Sequence, residues 1–285
     1  MKNSVLAVTV LALCALSLAE TPSAASVNNQ KQAAASAQGA GVQAALNNLR
    51  ARAVCAFTFT SGHDETFFKY CVTANGNIVQ LETPLGREQL SVARKIGEGY
   101  GMCDQGGEYF DYAEFGDSGN WNPATVVSRD ATSVKIARTT SDGIWTLTQT
   151  ITQVAGGSPS ATVAMAITNH TDTQRDVIIF RYANVNADGI AKNNLDSTID
   201  SAFAWNSFSR PPQVGFGLML QNVGSTPFFH TGFILSVPDP PEPCNAFVHD
   251  PKHLITKTDG SIVVDYAIGI GSHESRTVTV AYKGI

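Results

Sequence analysis

The sequence predicts an all-β fold, one large antiparallel β-sandwich over residues 54–285, and three observations predict it. Short apolar alternations recur along this span and are interrupted by Gly, Asn, Asp and Pro. The dipeptide Asn75-Gly76 lies between two runs rich in β-forming residues, the strongest short-range hairpin signal. After residue 54 no stretch carries apolar residues at the spacing of an amphipathic helix. At about 230 residues the body is large for a sandwich but within the range of a single domain.

The chain opens with a leader. Lys2 gives a basic start, Val5 to Leu18 are apolar, and Ser17-Leu18-Ala19 forms a small-x-small site before Glu20, the layout of a cleaved secretory signal over residues 1–19. A lipoprotein signal would require a small residue before Cys14, where Leu13 stands. Residues 20–53 are rich in Ala, Gln and Ser and read as a linker, with one short helix expected over Val42 to Arg52. No later run approaches the roughly 18 apolar residues of a membrane-spanning helix. The expected product is soluble and secreted, extracellular or periplasmic.

In "FFKYCVTANGNIVQLETP" the runs on either side of Asn75-Gly76 predict a hairpin closed by a type I′ turn, which needs positive φ at both central residues. Further strands follow from alternation at Val134 and Ile136, at Leu147 and Ile151, and at Val163, Met165 and Ile167. The same pattern returns at Ile262, Val264, Tyr266 and Ile268 and at Val278, Val280 and Tyr282. Each set lines one face of a pleated strand and leaves the other to Thr, Lys or Gln. "DVIIFRY" is apolar through its middle and predicts a central strand covered on both faces.

Loss of the leader leaves Cys55, Cys71, Cys103 and Cys244, an even number in an oxidising compartment, so two disulfides are expected. Four cysteines allow three connectivities. Cys55 with Cys71 and Cys103 with Cys244 is preferred, because the first pair brackets neighbouring strands and the second ties a long loop to "VPDPPEPC". The formal net charge of −5, one unit more negative without Lys2, makes nucleic acid and anionic membranes poor partners. No pattern specifies the oligomeric state.

A sandwich of this size resembles the supersandwich of galactose mutarotases and of accessory domains in polysaccharide-degrading enzymes. The segments "YCVTANGNIVQLETPLG", "EGYGMCD", "GDSGNW" and "RYANVNADG" also resemble secreted bacterial β-sandwich proteins of uncharacterised activity. The first resemblance implies a histidine and a carboxylate as acid and base. No stretch matches closely enough to place those roles on numbered residues.

The stretch "EGYGMCDQGGEYFDYAEFGDSGNW" is the candidate binding region. It holds Glu98, Asp104, Glu108, Asp111, Glu114 and Asp117 with no Lys or Arg, interleaved with Tyr100, Tyr109, Phe110, Tyr112, Phe115 and Trp121. Aromatic faces stack on sugar rings and carboxylates accept from sugar hydroxyls, so Tyr100, Glu108, Tyr109, Asp111, Tyr112 and Trp121 are the candidate carbohydrate ligands. The structural alternative is a regular strand in which Phe110 and Tyr112 fill a core while Tyr109 and Asp111 meet water.

Asn184-Val185-Asn186-Ala187-Asp188-Gly189 has oxygen ligands at alternate residues and Gly at the sixth position, as in a calcium loop. Asn184, Asn186 and Asp188, helped by Asp196 or Asp200, are the candidate calcium ligands. Leu195 stands where the bidentate Glu of such a loop belongs, and an ordinary polar turn is the favoured reading.

Three other features carry little. Gly116-Asp117-Ser118-Gly119 resembles the nucleophile loop of trypsin-like proteases, but only His63 precedes Ser118 and no base can be assigned. His249 and His253 are four apart, yet Pro251 between them opposes the helix a metal pair would need. His63, His170, His230 and His273 show no recognisable pairing. The sequence reads best as a secreted, non-catalytic protein binding extracellular or cell-envelope carbohydrate. A sugar-active enzyme, either a mutarotase-like epimerase or a glycoside hydrolase, is one alternative, and a structural envelope protein is the other.

Overall fold

The computed structural model describes residues 54–91, 97–105, 107–113, 115–206, 216–224, 228–248 and 254–285. The leader, the 20–53 segment with its expected helix, Glu114, His249 and His253 lie outside the described residues.

The described chain is built of strands and three short 3-10 turns. In order they are β1 (Phe57–Ser61), β2 (Phe68–Val72), β3 (Ile78–Glu82), β4 (Glu98–Asp104), β5 (Gly107–Tyr112), β6 (Thr125–Arg129), β7 (Ser133–Thr139), β8 (Trp145–Val154) and β9 (Ser160–Asn169). They continue as β10 (Arg175–Asn184), β11 (Asn193–Ser197), β12 (Ser201–Asn206), β13 (Phe216–Asn222), β14 (Phe229–Leu235), β15 (Ile255–Thr258), β16 (Ser261–Ile270) and β17 (Ser275–Gly284). Every predicted alternation falls inside a strand, and the apolar member of each pair is buried.

A nine-stranded sheet ordered β15-β11-β12-β13-β17-β9-β8-β7-β6 forms one layer, and a five-stranded sheet ordered β14-β16-β10-β4-β5 forms the other. All strand pairings are antiparallel. Between the layers Val163, Met165, Ile167, Val278 and Val280 meet Met102, Ile179, Val264 and Tyr266 in one apolar core. β10 is central in the smaller sheet and covered on both faces, as "DVIIFRY" predicts.

The third sheet, β1-β2-β3, contains the predicted hairpin with a different turn. Thr73 N donates to Asn77 O at 2.9 Å and Gly76 N donates to Thr73 O at 3.2 Å, enclosing the three residues Ala74-Asn75-Gly76. Gly76 alone of the expected pair has positive φ (91°), so this is a turn ending in one left-handed residue and not a type I′ turn. Tertiary contacts decide the difference: the Asn75 carbonyl accepts from Tyr100 Oη at 3.1 Å and from Gln149 Nε2 at 3.3 Å, while Asn75 Nδ2 donates to Asp111 Oδ2 at 2.9 Å.

Both preferred disulfides are present, Cys55–Cys71 and Cys103–Cys244, with Cα separations of 5.6 and 5.0 Å. The second ties β4 to the proline-rich loop 236–248, which covers part of the outer face of the smaller sheet. Tyr112 Oη donates to Pro241 O at 2.9 Å, Tyr182 Oη and Asn184 Nδ2 donate to Pro238 O, and Ser261 Oγ donates to Val237 O. Beneath the loop lie Phe180, Tyr182, Phe233 and Val263. Gly101 leaves room for the Phe180 ring there.

Candidate functional site

Five of the six candidate sugar ligands are buried. Tyr100, Tyr109, Asp111 and Trp121 face the inter-sheet core, and Tyr112 lies on the opposite face beneath the proline-rich loop. The expected aromatic platform is therefore corrected to a packed interior. The expected sidedness of β5 reverses as well, since Tyr109 and Asp111 point inward, whereas Phe110 and Tyr112 stack at 5.0 Å on the outer face.

Strand alternation alone leaves the inward face undetermined; the ion pairs reveal it. Arg138 Nη1 donates to Asp111 Oδ2 at 2.6 Å, Arg138 Nη2 to Asp117 Oδ2 at 3.0 Å, and the Arg138 guanidinium lies 5.3 Å from the Trp121 ring centre. Tyr109 Oη donates to Asp142 Oδ2 at 2.5 Å.

A second buried network adjoins the first. Arg181 Nη2 lies 2.5 Å from Glu98 Oε1, Tyr282 Oη donates to the same oxygen at 2.5 Å, and Ile78 N donates to Glu98 Oε2 at 2.6 Å. Arg181 also donates to Gln149 Oε1 and to Gly76 O. Burial pushes the Glu98 carboxyl above the ordinary carboxylate range, against the opposing pull of Arg181, Tyr282 and the Ile78 amide. The network binds the two sheets and the hairpin to one another, and it leaves no open face for a sugar.

The calcium ligands do not assemble. Asp188 Oδ2 takes Arg87 Nη1 at 2.6 Å, Asp196 Oδ1 accepts from the amides of Ser197 and Leu254, and Asp200 Oδ1 takes His230 Nε2 at 2.7 Å. Asn184 Nδ2 reaches Pro238 O and Asn186 Nδ2 reaches Ser91 Oγ. Among the described residues no three His, Cys, Asp or Glu side chains cluster closely enough to hold a metal. Asp188 and Gly189 both have positive φ (56° and 75°) within one 3-10 turn, so turn geometry accounts for the residues that resembled a metal loop. Gly116-Asp117-Ser118-Gly119 is likewise a turn, with Gly119 N donating to Asp117 Oδ1 and Phe110 N and Asn120 N to Ser118 Oγ.

An accessible hollow lies on the outer face of the smaller sheet, beyond the end of the proline-rich loop. It encloses about 490 Å³, with Cys103, Ile178 and Ala267 on its floor and Gln105, Asp176 and Gly269 toward its rim. A smaller hollow of about 170 Å³ adjoins it through Gln105 and Asp176 and adds Thr173, Gln174 and Arg175. Antiparallel register explains the floor: Cys103 opposes Ile178, Ile178 opposes Ala267, and Ala267 opposes Phe229, so all four share one face.

Phe229, at the β14 end of this row, is 80 % exposed. Asp176 stands opposite Gly269, and a Cβ at Gly269 would sit 3.1 Å from Asp176 Oδ1 and 3.3 Å from Gln174 Nε2. The glycine thus lets a carboxylate and an amide lie over the strand together. Glu108, opposite Cys103, shares this outer face with Tyr112, which the proline-rich loop covers, and its Oε1 accepts from Cys244 N at 3.2 Å.

Sequence reasoning missed Gln105, Gln174, Asp176 and Phe229. One signal was available: adjacent Phe228 and Phe229 at a strand start must point to opposite faces, which sends one of them outward. The grouping of Asp176 with Gln105 and Gly269 joins three distant segments and had no local signature.

Among solved structures the chain is similar to a bacterial glucoamylase complexed with acarbose, at 12% identity and TM-score 0.50, covering 82% of this chain and 32% of that one. It is also similar to a putative aldose 1-epimerase from Escherichia coli K12, at 12% identity and TM-score 0.44, covering 80% and 99% of the two chains. A galactose mutarotase-like protein from Lactobacillus casei ATCC 334 is similar at 10% identity and TM-score 0.44, covering 80% and 100%. The likeness is one of fold alone. The architecture is the large antiparallel sandwich expected from the sequence. No protein-family model and no curated protein matches the chain.

Proposed function

We propose that this protein binds carbohydrate, without catalysis, in the groove on the outer face of the smaller sheet. The observation that carries the reading is Phe229, exposed beside an open apolar floor whose rim presents Asp176, Gln105 and Gln174. An exposed aromatic face supplies stacking for a sugar ring, and carboxylate and amide groups supply acceptors and donors for its hydroxyls. The volume of about 490 Å³ falls within the range of small-ligand sites. The structural likeness to a bacterial glucoamylase complexed with acarbose agrees with a saccharide ligand.

Binding is favoured over glycoside hydrolysis by the carboxylates available. Hydrolysis by the common route uses two carboxyl groups flanking one bond. Among the described lining residues Asp176 alone turns a carboxylate to the groove, because Asp104 points inward to Arg175 and Trp145.

A glycan array read with the wild type and Phe229→Ala tests the proposal. Retention should fall by up to about tenfold in the variant, while the melting temperature should stay nearly unchanged because the ring is exposed. Retention indifferent to Phe229 would move the site elsewhere. Release of reducing ends or accelerated anomer exchange would instead support the enzyme reading.

A further inference from the structure

We infer that the groove selects saccharides carrying a free amine, an amino sugar whose ammonium meets Asp176; the inference rests on the carbohydrate reading above. The argument is one of charge. Asp176 is exposed at the rim, supported over Gly269, and forms no ion pair among the described residues. The one cation among the described lining residues, Arg175, spends Nε and Nη2 on the same oxygen, Asp104 Oδ2, at 3.1 and 2.8 Å. Its charge is thus neutralised behind the floor and does not oppose that of Asp176.

Toward the disulfide side the groove is bordered by Glu108, and Glu242 lies close enough for both carboxylates to raise the Tyr112 hydroxyl pKa beyond what burial does. The acidic stretch that is free of Lys and Arg contributes Gln105 and Glu108 to this side. A groove with one sign of charge attracts the opposite sign and rejects its own. A uronic acid would bring a carboxylate against Asp176, a neutral sugar would offer it hydroxyl hydrogen bonds alone, and a protonated amine would add an ion pair.

Calorimetric titration with three probes tests this: a short chitosan oligosaccharide, its fully N-acetylated counterpart and an oligogalacturonate. At low salt the chitosan probe should bind about two- to fivefold tighter than the acetylated one, the range of an exposed ion pair. Asp176→Asn should erase that preference by weakening the chitosan probe more than the acetylated one, and added salt should shrink it in the wild type. The side chain is exposed, so the variant should fold, and its melting curve checks that. Equal affinity for chitosan and its acetylated form, or tighter binding of the uronate, overturns the amine selection while carbohydrate binding stands. Absence of binding to all three probes overturns both.

Discussion

Asp265 shows at the scale of one residue how burial becomes pH dependence. Its side chain is fully buried between Phe180 and Thr231 in the strand ladder, and neither carboxylate oxygen finds a hydrogen bond of normal geometry. Desolvation raises its pKa to about 7, against weaker pulls from the Thr231 amide, its own amide and His230. Glu88, which accepts from the amides of Leu81 and Leu90, is also raised to about 7 by burial. Both folded values lie above the unfolded ones, so the folded state holds the extra protons and stability falls as pH rises from about 4 to about 7. For Asp265 the penalty above pH 7 is on the order of 4 kcal/mol. Asp265→Asn should therefore raise the melting temperature at pH 8 and change it little at pH 4. An equal effect at both values would show that the carboxyl is not protonated in the fold.

At the scale of elements the two disulfides do different work. Cys55–Cys71 spans 16 residues and joins the start of the domain to β2, whereas Cys103–Cys244 spans 141 and fastens the proline-rich loop over the smaller sheet. In the chain-entropy account the longer closure restricts the unfolded chain more, by about 2 kcal/mol. Urea midpoints of Cys55→Ser/Cys71→Ser and Cys103→Ser/Cys244→Ser should differ in that direction. The second variant should also expose the loop near Asp239 to limited proteolysis and weaken glycan retention, because Cys103 and the loop border the groove. A larger loss from the short bridge would reverse the ranking.

The whole molecule is held in register by charge as well as by apolar packing. Glu98 comes from β4, Arg181 from β10, Tyr282 from β17 and Gln149 from β8, so the network pins the smaller sheet to the larger. Arg181→Met should cost about 3 to 5 kcal/mol, since it strands a buried carboxylate. The double variant Arg181→Met/Glu98→Leu should lose less than that. Melting curves of both proteins measure the difference, and a double variant worse than the single one would mean that Glu98 has a role beyond neutralising Arg181.

Local sequence was enough for the strands, because a period of two and the turn residues between runs act over a few residues. The same locality explains the hairpin at Asn75-Gly76. It also explains the errors: alternation separates the two faces of β5 but does not say which meets the other sheet, so Tyr109 and Asp111 were expected in water and lie in the core. Asn184 to Gly189 carries turn formers that double as metal ligands, and only the partners of Asp188, Asp196 and Asp200, drawn from distant segments, distinguish the two uses. The groove belongs wholly to tertiary structure. Its floor exists because β4, β10, β16 and β14 align Cys103, Ile178, Ala267 and Phe229 in one row, and because the proline-rich loop stops short of covering them. Strand order and register are set by long-range pairing, and no window of sequence contains them.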